Sequence, residues 1–146
     1  MGIFLDTGFY MGLISKLDEN HKKSIKILTE MKSGEYGQIY TSNFVMAESA
    51  VLVAIRTDRN SKAIEKLKQL FIGKLKIATI LRTDEELEEK IWSLFEKVNC
   101  NPEKKKNSKL VSFVDCSNII LCQNHGIDKI ATFDPHFKPW LQIINN

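Results

Sequence analysis

Cysteine is scarce and unpatterned in these 146 residues: Cys100, Cys116 and Cys122 form an odd set with no Cys-x-x-Cys pair. That argues against a disulfide framework, and the three histidines complete no Cys/His group at zinc-binding spacing. The cysteines read as buried free thiols of a reducing cytosol. Long hydrophobic runs are missing as well. Apolar stretches such as residues 51–55 are far too short to cross a bilayer, so no membrane role is expected. The opening Met1-Gly2-Ile3-Phe4-Leu5 has no basic leader or cleavage-site pattern before Asp6 interrupts it, and reads as a core strand instead of a signal peptide. Neither sign of charge dominates. Twenty-one basic against 18 acidic residues leave +3, which is compatible with nucleic acid but does not by itself point there.

What is present is a balanced globular composition, 43% hydrophobic and 27% charged, of a size that buries about 70% of the extended-chain surface in one core. No internal repeat and no second domain are visible, so residues 1–146 read as one domain. Short apolar runs alternate with helical periodicity throughout, which predicts an α/β fold. Its central sheet should be mainly parallel, with about five strands flanked by helices. The predicted strands are residues 3–5, 38–41, 75–80, 130–133 and 140–144. Phe9, Leu13 and Leu17 at helical spacing predict a first helix, and Ile25, Leu28 and Met31 a second, stopped by Gly34. Asn43 is expected to cap a strongly apolar helix running to Arg56, and Ser61 to start another that ends at Gly73. Thr83 with Glu86 suggests a capping box for the next helix. Residues 99–109 hold Pro102 and four lysines but no large apolar side chain, and read as a loop. Ser112 caps a final helix that Gly126 terminates in a left-handed conformation.

Four carboxylates draw attention by their placement. Asp6 directly follows a buried strand, and Asp134 follows Ile130-Ala131-Thr132-Phe133. In parallel α/β sheets such positions project into the crevice at the strand carboxyl ends. Glu48 sits mid-helix with Phe44, Val45, Val51 and Leu52 at three- and four-residue spacing, where a carboxylate is rarely tolerated unless paired or metal-bound. Asp115 falls in the first turn of the Ser112 helix among Phe113, Val114 and Ile119. Each has a structural alternative. Asp6 suits a helix cap, Asp115 completes a Ser-x-x-Asp capping box, and Asp134 before Pro135 suits a turn. Mid-helix Glu48 has no capping role open to it. Four separate coincidences weigh less than one shared site.

The stretches Ile3-Phe4-Leu5-Asp6-Thr7, Ala47-Glu48, Leu110-Val111-Ser112-Phe113-Val114-Asp115 and Gly126-Ile127-Asp128-Lys129-Ile130-Ala131-Thr132-Phe133-Asp134-Pro135-His136-Phe137 resemble a PIN domain, specifically the VapC-type toxins of toxin–antitoxin pairs. The resemblance spans essentially the whole chain. It implies that Asp6, Glu48, Asp115 and Asp134 are the family's acidic quartet, with Thr132 bordering it. It also implies a homodimer and an antitoxin whose segment covers the site. Two departures stand out: Gly8 replaces a polar Ser or Asn common in relatives, and the lysine-rich residues 101–109 replace a compact connection.

Clustered carboxylates suit Mg²⁺ or Mn²⁺, hard cations that activate water and offset charge in phosphodiester hydrolysis. The expected chemistry is phosphodiester hydrolysis by metal-activated water, and the resemblance implies that the substrate is RNA. Asp6, Glu48 and Asp115 would be the core ligands, and Asp134 would hold a second ion or act through water. The alternatives are a non-catalytic PIN-fold RNA-binding module and, less well supported because Asp6-Thr7-Gly8 lacks the second Asp of an aspartyl-phosphate motif, a phosphatase. Of the remaining signals, His21, His125 and His136 read as structural or surface residues. Lys104, Lys105, Lys106 and Lys109 suggest steering of an RNA backbone. Tyr10, Tyr36 and Trp140 read as aromatics left over once the core is filled.

Overall fold

In the computed structural model, which describes residues 1–101, 103 and 108–146, five parallel strands form one sheet in the order β3-β2-β1-β4-β5. The strands are β1 (Gly2–Leu5), β2 (Gln38–Ser42), β3 (Thr79–Leu81), β4 (Lys129–Ala131) and β5 (Gln142–Ile144). The helices are α1 (Thr7–Ile14), α2 (His21–Lys32), α3 (Asn43–Arg56), α4 (Ser61–Ile72), α5 (Glu85–Asn99) and α6 (Phe113–Asn124). β1 is central and buried along its whole length, as a run of consecutive apolar residues requires of a parallel strand covered on both faces. Ile3, Phe4 and Leu5 are wholly excluded from solvent, each contributing about 1.5–3 kcal/mol by burial.

The order of the strands creates the site. From β1 the chain steps outward through β2 to β3, then returns to pair β4 on the other side of β1. The carboxyl ends of β1 and β4 therefore lie side by side where the winding reverses, the place where an open α/β sheet leaves a crevice. Asp6 N–H donates to the Ala131 carbonyl at 3.2 Å and ties the two ends together.

Several boundaries differ from the sequence reading, each for a local reason. α1 stops at Ile14, and Leu17 is 98% exposed instead of continuing the apolar face. Asp18 accepts from the Asn20 N–H at 2.8 Å and makes the turn into α2. β3 begins at Thr79 and not Leu75, because Lys76 and Ile77 N–H groups are bound back to Gly73 and Leu70 at the end of α4. β4 stops at Ala131, and β5 starts only at Gln142, since Trp140 and Leu141 N–H groups turn back to Phe137.

The capping residues also shift. Ser42 caps α3 through its hydroxyl on Val45 N–H, in place of Asn43. Asp84, not Thr83, caps α5 on Leu87 N–H, while Thr83 binds Glu88. Each such cap is worth about 1 kcal/mol. The Ser112–Asp115 box on α6 is present as expected, and Gly126 ends that helix at φ +64°.

Cys116 and Cys122 are buried and form no disulfide among the described residues, but Cys100 is exposed. Tyr10 and Tyr36 belong to the core instead of standing outside it, and Tyr10 stacks on Phe71 at 4.2 Å. The apolar side chains that do face solvent include Val51 and Ile55 on α3, Ile72 on α4 and Trp92 on α5. Among the described residues no helix is long and apolar enough to cross a membrane.

Candidate active site

Asp6, Glu48, Asp115 and Asp134 all line one open cleft of about 510 Å³ at the carboxyl edge of the sheet. β1 delivers Asp6, α3 Glu48, the first turn of α6 Asp115, and the segment after β4 Asp134. Residues from opposite ends of the chain meet because β1 and β4 are neighbours.

Asp6 is the deepest of the four, only 6% exposed. It caps α1 by accepting from Thr7 N–H at 2.8 Å. Two buried side chains hold the same carboxylate: Asn118 donates to Oδ1 at 3.0 Å and Thr132 to Oδ2 at 2.7 Å. Burial pushes its pKa from 3.8 up to about 7, and the charges of Asp115 and Glu48 push the same way against the Thr132 and Thr7 hydrogen bonds. Asp6 is thus both a cap and a member of the cluster.

Asp115 likewise fills both roles. It completes the capping box, accepting from Ser112 N–H at 3.4 Å while its own N–H donates to Ser112 Oγ at 3.0 Å. Burial raises its pKa, helped by Asp134 and Glu48 and opposed by the Ser112 bonds. Glu48 is half-buried, less submerged than its apolar neighbours suggested, because Val51 on the same side of α3 is 61% exposed. Among the described residues it makes no ion pair.

Asp134 differs from the other three. It accepts from His136 N–H at 2.9 Å, pairs with Lys109 Nζ at 3.2 Å, and lies 2.8 Å from His136 Nδ1. Partial burial raises its pKa, but the His136 and Lys109 contacts outweigh that and leave it below the usual carboxylate range. His136 is therefore no plain surface residue. His21 and His125 do have structural roles, their Nδ1 atoms meeting the carbonyls of Gly12 at 2.7 Å and Leu121 at 3.0 Å. Lys104, Lys105 and Lys106 lie outside the described residues.

Two positions escaped the sequence reading. Asn118, one turn beyond Asp115, is fully buried and touches Asp6. Its signal was a carboxamide inside an apolar helix with no cap to make. Arg56 lines the cleft near Asp18, and nothing in its local sequence separates it from an ordinary C-terminal helix cation. Gly8 is on the cleft wall, and a Cβ there would meet only Phe133 at 3.7 Å. A serine or asparagine would fit in its place.

A model of the PIN domain matches residues 3–139. The chain belongs to the PIN domain family. Among curated proteins this PIN domain is 25% identical to a VapC ribonuclease of Archaeoglobus fulgidus over 138 residues, 94% of this chain and 80% of that one. Among solved structures it is similar to the sarcin-ricin loop cleaving toxin VapC20 of Mycobacterium tuberculosis. That match has a TM-score of 0.73 at 21% identity and covers 94% of each chain. VapBC2 of Rickettsia felis, bound to a DNA fragment from its promoter, matches with a TM-score of 0.63 at 14% identity over 98% of this chain and 97% of that one. FitAcB of Neisseria gonorrhoeae matches equally well at 20% identity, over 98% and 96%.

The donor set of this PIN domain is all oxygen, as a hard divalent cation prefers. Among the described residues no three His, Cys, Asp or Glu side chains converge closely enough to form a ready-made metal cage. Asp6, Glu48 and Asp115 instead line the same cleft, where the charges of Asp115 and Glu48 raise the proton affinity of Asp6 and that of Glu48 raises the proton affinity of Asp115. Mg²⁺ is commonly held in such an arrangement, by one or two carboxylates with water and substrate oxygens completing its shell. The residues present fit the ion in that manner.

Proposed function

We propose that this PIN domain is a Mg²⁺- or Mn²⁺-dependent endoribonuclease and the toxin of a toxin–antitoxin pair. The observation that carries the reading is the meeting of Asp6, Glu48 and Asp115 in one cleft, with their negative charge unpaired by any cation among the described residues. A bound divalent ion would supply the activated water and offset charge on the phosphoryl and leaving oxygens. Asp6 is held rigid by Asn118, Thr132 and Thr7, which use three of its roughly four acceptor positions and leave one on Oδ2. Glu48 and Asp115 face it from α3 and α6 and would share the ion directly or through water. Asp134, already paired with Lys109, would act at longer range on a second ion or a water.

The likeness to the Archaeoglobus VapC ribonuclease and to VapC20 supports RNA as substrate, and the likeness to VapBC2 supports an antitoxin partner. The solvent-facing Val51, Ile55 and Ile72 supply apolar surface for that partner or for a second copy in a homodimer. RNA cleavage assayed with Mg²⁺, with chelator, and with Asp6→Asn tests the enzyme. Cleavage should require the metal and vanish in the variant. Binding without cleavage in any divalent ion would leave a non-catalytic RNA-binding module.

A further inference from the structure

We infer that Arg56 is a substrate-binding residue that grips an RNA phosphate in the cleft about two helical turns along α3 from Glu48, a role that rests on the ribonuclease reading. Glu48, Leu52 and Arg56 stand at four-residue intervals on α3, and all three line the cleft. They form one stripe leading away from the acid cluster, with Arg56 about 12 Å along the helix from Glu48 at 1.5 Å per residue. Among the described lining residues Arg56 and Lys109 are the two cations. A polyanion drawn along an acid-lined groove needs cationic contacts, and these two stand beside different acids of the lining, Arg56 by Asp18 and Lys109 by Asp134.

The geometry leaves the guanidinium available. Arg56 Nη1 is 3.6 Å from Asp18 Oδ2, a contact too long for a good hydrogen bond, and its side chain is 54% exposed. Asp18, whose side chain is 13% exposed, keeps a second partner because its Oδ1 accepts from Asn20 N–H in its own turn. A phosphate could therefore displace Asp18 and take two parallel N–H donors from the planar fork. The competing structural role is a last-turn cation favoured by the helix dipole and a loose surface ion pair. That role predicts no effect on substrate.

The two roles separate in cleavage kinetics of a single-stranded oligoribonucleotide with Mg²⁺ across a salt series. Arg56→Gln should raise KM roughly threefold to tenfold with kcat unchanged, and flatten the dependence of log(kcat/KM) on log salt by about 0.7. Arg56→Lys should retain the salt slope and lose part of the affinity. Asp18→Asn, which releases the guanidinium and also removes an anion from the cleft, should lower KM more in the wild type than in an Arg56→Gln background, a difference no purely structural pair would give. Lys62→Gln, on the exposed part of α4 away from the cleft, should match wild type. Cleavage by Arg56→Gln at wild-type KM and salt slope, or an Asp18→Asn change that fails to lower KM more in the wild type than in Arg56→Gln, overturns the assignment while leaving the nuclease intact. Failure of the wild type to cleave RNA with any divalent ion overturns both.

Discussion

Asp6→Asn should abolish RNA cleavage and yet make the metal-free protein more stable near pH 8. Asp6 has its pKa raised from 3.8 to about 7. That is roughly 3 units at about 1.4 kcal/mol each, so the ionised side chain costs the empty fold on the order of 4 kcal/mol. Below about pH 4 the folded and unfolded chains both carry the proton. Between about pH 4 and 7 the folded chain keeps a proton that the unfolded chain has released, so wild-type stability falls as pH rises across that window. A neutral amide removes this loss.

The replacement is not free. Thr7 N–H and Asn118 can still donate to the amide oxygen, but the Thr132 hydroxyl must turn and accept instead of donate. That change costs about 1.5–3 kcal/mol for a charge-assisted bond. A net gain of about 1–3 kcal/mol remains near pH 8, a melting temperature higher by roughly 3–9 °C. Thermal melts in chelator at about pH 5 and pH 8 test it. The advantage should be confined to the higher pH, where wild-type Asp6 is ionised. An Asp6→Asn protein less stable than wild type at both pH values would refute the electrostatic picture of the cleft.

Two further outcomes follow from the same geometry. Mg²⁺ or Mn²⁺ should raise the wild-type melting temperature with saturation, by about 2.7 kcal/mol of stability at a hundredfold excess over Kd, and should do little for Asp6→Asn; an equal shift in both proteins would place the ion elsewhere. Asn118→Leu removes the buried donor to Asp6 Oδ1 and should destabilise by about 1–3 kcal/mol, with the larger loss near pH 8, where that donor supports a charge. Melts at the two pH values would show it.

The backbone plan was legible along the chain because burial writes itself into residue order. A strand covered on both faces must be continuously apolar, as 3–5 is, and a helix packed on one side repeats its apolar residues every three or four positions. Asp6, Asp115 and Asp134 stood out as acids at the ends of such runs, and Glu48 as an acid within one. Local rules misled where hydrogen bonds from elsewhere decided the outcome. Lys76 and Ile77 lie within a stretch that reads as a strand by pattern, but their N–H groups are taken by Gly73 and Leu70 at the end of α4. Leu17 has helical spacing, but the Asp18 turn intervenes.

Only the tertiary arrangement could say that these acids share a field, that Asp134 is paired with Lys109, or that Asn118 and Thr132 clamp Asp6 from residues 112 and 126 positions away. Composition and periodicity report whether a side chain is buried, because burial depends on local order along one element. Which charge faces which depends on strand order, and the return of β4 beside β1 is a long-range choice made by the whole core.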